Sequence, residues 1–174
     1  MNVLVTGANG FIGKNLVVRL NELGMHTVPY TRENSIQDLP DMVKKVDFII
    51  HLAGENRPAD EKDFDIVNAG LTSSICDVVR SSGKNTPIIL ASSTQAELDN
   101  AYGKSKLDAE VAVKALEIDT GCPVYVYRLP GVFGKWCKPH YNSVVATFCH
   151  NISHDLSIQV NNPDFELSLV YIDD

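Results

Sequence analysis

Short apolar runs alternate with stretches of helical periodicity along most of this chain, and that alternation constrains the fold more than any other feature. Residues 2–6 are apolar and are followed by Ile12, Leu16, Leu20 and Leu23, whose spacings of 4, 4 and 3 mark one face of a helix that Gly24 ends. Residues 27–31 read as a second strand and 35–45 as a weak helix. The run 47–53 reads as a strand buried on both faces, followed by a helix over 65–82 that Gly83 stops. Residues 87–92 form another apolar strand, 102–120 a helix stopped by Gly121, and 124–129 a further strand. A loop over 130–141 leads to a helix at 142–153, and 156–160 and 166–172 read as late strands.

Strands alternating with helices imply a parallel sheet covered on both faces, and right-handed crossovers make it a doubly wound α/β fold. Only residues 32–46 separate the second strand from the one at Asp47. A complete half of such a fold needs two crossovers there, each of roughly a dozen residues. One strand–helix unit is therefore abbreviated or missing. With 174 residues and no repeat or linker, the chain is expected to be one domain, 1–174.

Lys and Arg number 15 against 22 Asp and Glu, a net charge of −7, which argues against nucleic acid and anionic membranes as partners. No apolar run approaches the roughly 18 residues of a membrane span, and no signal peptide is apparent, so a cytoplasmic protein is expected. Cys76, Cys122, Cys137 and Cys149 have no metal-binding spacing and read as free thiols; no metal is expected.

Gly7-Ala8-Asn9-Gly10-Phe11-Ile12-Gly13 follows a strand and opens a helix. Small residues there allow a tight turn, close approach of backbone to a pyrophosphate, and helix–strand packing, while the helix N-terminus offers unpaired N–H groups. This is the context of a Rossmann-type dinucleotide site, with Gly7, Asn9, Gly10, Phe11, Ile12 and Gly13 lining it. The acidic residue expected roughly 20 positions on, to hold a ribose 2′-hydroxyl, is absent. Thr31 and Arg32 stand there instead, which favours a 2′-phosphate and hence NADP(H) over NAD(H); Glu33 keeps the NAD reading open.

Tyr102 and Lys106 lie at i and i+4, on one helix face, just after Ser92-Ser93-Thr94 at a strand's C-terminal end. A nearby ammonium and a cationic nicotinamide would lower the phenol's acidity constant from near 10, letting Tyr102 exchange a proton with a carbonyl or hydroxyl. Thr94 would polarise the same oxygen, so Thr94, Tyr102 and Lys106 are the catalytic candidates.

Together these features resemble the extended short-chain dehydrogenase/reductase family of nucleotide-sugar epimerases, dehydratases and reductases. His51-Leu52-Ala53-Gly54 is similar to its motif beside the cofactor, and Asn68 sits where the family keeps an Asn. Arg128-Leu129-Pro130-Gly131-Val132-Phe133-Gly134 resembles its segment by the nicotinamide. The resemblance implies cofactor contacts from Leu52, Ala53, Gly54, Asn68, Tyr102, Lys106 and Leu129. The terminal Leu169-Val170-Tyr171-Ile172-Asp173-Asp174 resembles a late strand after which the family's chain continues, so this sequence is expected to be the N-terminal part of such a protein, truncated on its substrate side.

Thr94 and Tyr102 are eight residues apart, closer than in most members. With Asn56-Arg57-Pro58 and Phe133-Gly134-Lys135-Trp136-Cys137-Lys138-Pro139, this spacing resembles the branch of bifunctional capsule and O-antigen enzymes that join such a domain to a metal-binding cupin. That resemblance implies NADPH-dependent reduction of the C4 ketone of a UDP-2-acetamido-2,6-dideoxy-4-keto-hexose, on the way to UDP-N-acetyl-L-fucosamine, by a homodimer. Arg57, Thr94, Gln95, Tyr102, Lys135, Trp136 and Lys138 are the candidate contacts to the UDP-sugar. A 4,6-dehydratase needs an acid and a base immediately after the Thr, where this chain has Gln95-Ala96. An NAD-dependent nucleotide-sugar 4-epimerase uses the same Thr, Tyr and Lys and stays as the alternative. A non-catalytic NADP-binding redox sensor is the rival from another class, and it would usually lack the Tyr-x-x-x-Lys pair.

Overall fold

A computed structural model of the chain describes residues 1–56, 60 and 64–174. Met1–Arg128 forms one compact unit and Leu129–Asp174 a second. The first unit holds strands β1 (Asn2–Thr6), β2 (His26–Tyr30), β3 (Phe48–His51), β4 (Ile88–Ser93) and most of β5 (Val124–Leu129). Its helices are α1 (Phe11–Glu22), α2 (Leu39–Lys45), α3 (Leu71–Ser82) and α4 (Ala101–Thr120). The second holds β6 (Gly131–Phe133), α5 (Val144–Ser153) and β7 (Leu169–Tyr171).

The five strands are ordered β2-β1-β3-β4-β5, and β1–β2, β1–β3 and β3–β4 pair in parallel. No strand intervenes between β2 and β3, so the abbreviation expected from the short 32–46 segment is real: a 3₁₀ turn at Ile36–Asp38 and α2 make a single crossover. Ser35 starts that crossover with a reciprocal capping box to Asp38. Pro29, which cannot donate to a ladder, sits on edge strand β2.

Register explains the core. Leu4 aligns with Val28 on one side and Ile49 on the other, and Ile49 aligns with Ile88. That row packs under α2, α3 and α4 through Leu39, Val43, Ile75, Val79, Val113 and Leu116. The alternate residues Val3, Val5 and Ile50 face the other way and meet α1 through Leu16, Val17 and Leu20. Successive side chains point to opposite faces, so every central strand is apolar on both. The helices run out at Gly24, Gly83 and Gly121 as their spacing predicts; Gly121, at φ 73, takes the left-handed conformation that ends α4.

In the second unit β6 and β7 pair in parallel, with Val132 opposite Val170 and the Phe133 and Tyr171 rings 5.5 Å apart. The strand expected at 156–160 is not formed, and the late strand is shorter than expected, Leu169–Tyr171. Leu156, Ile158 and Val160 alternate as a half-buried strand would, yet all three are exposed. Of the free cysteines, Cys76 and Cys122 are buried and Cys149 is exposed. Among the described residues no helix is long and apolar enough to cross a membrane.

Ile49 is fully buried at the centre of the Leu4–Ile49–Ile88 row. Ile49→Ala is expected to destabilise the chain by about 2–5 kcal/mol, read as a lower denaturation midpoint in urea.

Candidate active site

The glycine loop runs from the end of β1 into α1. Gly7 adopts φ 67 and donates its N–H to the Tyr30 carbonyl at 3.0 Å, fastening the loop to β2. A Cβ on Gly7 would lie 2.8 Å from the Ala53 nitrogen, so the turn presses against the end of β3. A Cβ on Gly13 would collide with the Gly7 carbonyl oxygen and approach Ala8 Cα to 2.8 Å. Gly10 caps α1 with no side-chain hydrogen bond, and Asn9 and Gly10 are exposed. The first-turn N–H groups of Phe11, Ile12 and Gly13 lack carbonyls four residues back within the helix. A cradle with no room for side chains beneath and bare donors at its mouth fits a dinucleotide pyrophosphate.

Thr31 and Arg32 follow β2. The Thr31 hydroxyl and amide are both tied to Asn34 Oδ1, at 3.3 and 2.8 Å. The Arg32 side chain is 92% exposed and its Nη2 lies 2.7 Å from Glu55 Oε2. Glu55 follows Leu52, Ala53 and Gly54 in the segment after β3.

The end of β3 is organised by a chain of buried hydrogen bonds. The Thr72 hydroxyl donates to the Asn68 carbonyl at 2.6 Å, so its oxygen accepts from His51 Nε2 at 2.8 Å. His51 Nδ1 is then an acceptor, and the Thr6 hydroxyl donates to it at 2.6 Å. The Thr6 oxygen in turn accepts from the amides of Leu52 and Ala53. Burial, with the nearby Lys106 cation adding to it, pushes the His51 imidazole down to about 3, so it is neutral. Asn68 lies in a π-helical turn, Asp65–Gly70, that leads into α3. Its amide accepts from the Glu55 N–H at 2.7 Å and donates to Ser105 Oγ at 2.9 Å. π turns recur at functional sites because one extra residue redirects a side chain.

α4 delivers the acid–base candidates. Asn100 caps it by accepting from the Gly103 N–H at 2.7 Å. Lys106 is only 7% exposed; its Nζ donates to the Ala91 carbonyl at 3.1 Å and sits 5.9 Å from the Tyr102 ring centroid. A Cβ on Gly54 would come within 3.1 Å of both Lys106 Nζ and Asn68 Oδ1, so this glycine leaves space for the ammonium. Burial pushes Lys106 down to about 8, against an opposing pull from Glu110.

The Tyr102 phenol differs from expectation: it is raised, because burial outweighs a lowering hydrogen bond with Ser93. The ammonium stands over the ring, and Phe64 packs on it with centroids 5.7 Å apart. Thr94 is exposed and opens a 3₁₀ turn, Thr94–Glu97, together with exposed Gln95. The hydroxyl that acts on the phenol is that of Ser93, buried at the end of β4.

Sequence reasoning also missed Glu110. Its carboxylate, 2% exposed, accepts from Ser92 Oγ at 2.5 Å and bidentately from Arg128 at 2.9 and 2.8 Å. Arg128 also pairs with Glu97 at 2.7 Å, so its guanidinium is turned to α4 and the turn before it.

In the second unit, Leu129 is half-buried before β6. Lys135 pairs with Asp173 at 3.0 Å, Trp136 is 58% exposed at φ 67, and Lys138 Nζ lies 6.0 Å from the Tyr141 ring centroid. A bulky residue rarely takes that φ. Arg57 lies outside the described residues. Among the described residues no group of three or more His, Cys, Asp or Glu could hold a metal ion.

The structure thus brings Gly54, Asn68, Ser93, Tyr102 and Lys106 together near the C-terminal ends of β3 and β4, where doubly wound folds bind ligands. Comparison with known proteins identifies the family. The NAD dependent epimerase/dehydratase family matches residues 3–174. The chain is 56% identical over 175 residues to the UDP-2-acetamido-2,6-beta-L-arabino-hexul-4-ose reductase of Pseudomonas aeruginosa, covering 100% of this chain and 47% of that protein. It superposes on the capsular polysaccharide assembling protein CapF of Staphylococcus aureus with a TM-score of 0.87 at 44% identity, covering 99% of this chain and 47% of that one. A UDP-glucuronic acid 4-epimerase of Bacillus cereus, solved with UDP-glucuronic acid and NAD, shares the fold with a TM-score of 0.85 at 18% identity, covering 99% and 70%. The chain spans about half the length of the first two.

His51 gives this edge a pH signature. Its folded value of about 3 lies below the unfolded 6.5, so the unfolded chain binds the extra proton. The stability it contributes is full above pH 6.5 and is lost as pH falls toward 3, at up to about 1.4 kcal/mol per unit. Denaturation midpoints at stepped pH should show that slope, and His51→Gln should flatten it.

Proposed function

The chain belongs to the NAD dependent epimerase/dehydratase family, and on that premise we propose that it forms the cofactor-binding and proton-donating part of a nucleotide-sugar 4-keto reductase. The substrate is a UDP-2-acetamido-2,6-dideoxy-hexos-4-ulose, the class named for its Pseudomonas aeruginosa relative, and the product serves capsule sugar synthesis. The observation that carries this reading is the half-buried Tyr102 paired with the buried Lys106 ammonium, beside the Ser93 hydroxyl.

A bound nicotinamide cofactor supplies hydride to the C4 carbon. The chain's own groups manage the oxygen. Tyr102 O–H gives its proton to the C4 oxygen, turning the ketone into an alcohol, and the Lys106 ammonium stabilises the phenolate left behind. A phenol raised by burial is protonated at neutral pH, as a proton donor must be. Ser93 orients the phenol, while Thr94 and Gln95, exposed on the following turn, are available to the sugar. Lys135, Lys138 and the Trp136 ring suit the diphosphate and the uracil. NADPH is the cofactor of this reading, supported by the exposed Arg32 guanidinium after β2 and by the lack of an acidic residue at the strand's end.

In the full protein, oxidation of NADPH by the UDP-4-keto-6-deoxy sugar is the direct test. Tyr102→Phe should lower kcat by about 10²-fold or more and leave NADPH affinity unchanged; unaltered turnover would refute the mechanism. Retained turnover without net NADPH consumption would instead indicate an epimerase.

Arg32→Ala should weaken NADPH about tenfold or more, the worth of one charge-assisted hydrogen bond, and affect NADH far less. Fluorescence titration with each cofactor measures both.

A further inference from the structure

We propose that Glu110 is a positioning residue: its carboxylate, clamped by Arg128 and Ser92 one helical turn beyond Lys106, keeps the Lys106 ammonium charged beside Tyr102. The proposal deepens the reading of Tyr102 and Lys106 as the proton-handling pair and rests on it.

A carboxylate inside a core is costly unless hydrogen bonds replace its water, and a well-packed apolar residue usually serves stability as well or better. Glu110 is nonetheless buried on the inward face of α4 with Gly103, Ser105, Lys106, Ala109 and Val113. Three hydrogen bonds hold it, from Ser92 Oγ and from Arg128 Nε and Nη2. Arg128 does not cancel the charge, because its Nη1 pairs with Glu97 as well. Two carboxylates around one guanidinium leave one net negative charge, which faces Lys106 one turn before Glu110 and Lys114 one turn after it.

The other groups around Lys106 supply no such charge. On its own helix stands Tyr102; β4 presents the Ala91 carbonyl; the segment after β3 presents Gly54; the π turn presents Asn68 Oδ1; β3 presents His51, neutral; the cationic Arg128 of β5 is held by Glu110. Among the described residues no carboxylate lies within ion-pair distance of Lys106 Nζ. Burial alone would discharge this ammonium, and Glu110 opposes that.

The test follows Lys106 Nζ by NMR in full protein with isotope-labelled lysine, in parallel with kcat/KM against pH. In E110Q the Nζ titration and the alkaline limb of kcat/KM should both move to lower pH, by about one to two units. E110D, which keeps the charge, should leave both near their original positions. A loss of kcat/KM that is equal at every pH, with an unmoved Nζ titration, would mean that Glu110 only supports the fold. Should E110Q not fold, K106M carries the test through reciprocity: with the ammonium gone, the Glu110 carboxyl, followed by NMR with isotope-labelled glutamate, should titrate at higher pH, and no movement overturns the proposal. The NMR titration needs no turnover, so failure to reduce the chosen sugar counts against the proposed reaction and not against Glu110.

Discussion

The imidazole of His51 lies between the Thr6 hydroxyl at 2.6 Å and the Thr72 hydroxyl at 2.8 Å, and much of the sheet's ligand-facing edge depends on that bridge. Because Thr72 donates to Asn68, the bridge has one polarity, with the imidazole neutral and its proton on Nε2. Thr6 carries the connection to the Leu52 and Ala53 amides, and Asn68 carries it to Glu55 and Ser105. Three segments distant in sequence are thereby joined by groups that are each satisfied, the condition under which a buried polar network gives rigidity rather than cost. The space around Gly54, which admits the Lys106 ammonium, is set by this same frame.

Around that frame the charges are arranged by depth. Burial acts on Tyr102 and Lys106 in opposite senses, raising the phenol and lowering the ammonium toward 8. In water the two groups have nearly equal proton affinity; here they are drawn apart, so the phenol holds its proton while the ammonium becomes the readier acid. Glu110 and Arg128 lie behind Lys106 and set how far the discharge goes. Proton handling of this kind needs side chains that share one desolvated region.

What was legible in the sequence was local. The Gly7–Gly13 loop, the three helix-ending glycines and the apolar strands are encoded within a few residues, and the structure has them within a residue or two of expectation. The short 32–46 segment was legible for the same reason, since chain length alone limits how many crossovers fit. The strand expected at 156–160 failed because alternation of Leu156, Ile158 and Val160 encodes a face and not a partner, and no strand forms there. The effect of Ser93 on Tyr102 was not legible, because which neighbour a strand-end hydroxyl meets depends on where the strand ends and the turn begins. The Glu110–Arg128 pair spans 18 residues, and nothing in either residue's neighbourhood announces the other.

The stretch between Ser93 and Tyr102 has a kinetic meaning beyond its shape. It is a 3₁₀ turn at Thr94–Glu97 followed by hydrogen bonds from Leu98 to Gln95 and from Asn100 to Leu98. Gly103 closes it so tightly that a Cβ there would strike the Gln95 and Leu98 carbonyl oxygens. Hydroxyl and phenol are therefore the two tips of one short, stiff pair of tweezers. A tether this brief loses little entropy when its ends meet, so the chain itself holds the two groups near one another, with no ligand needed to gather them.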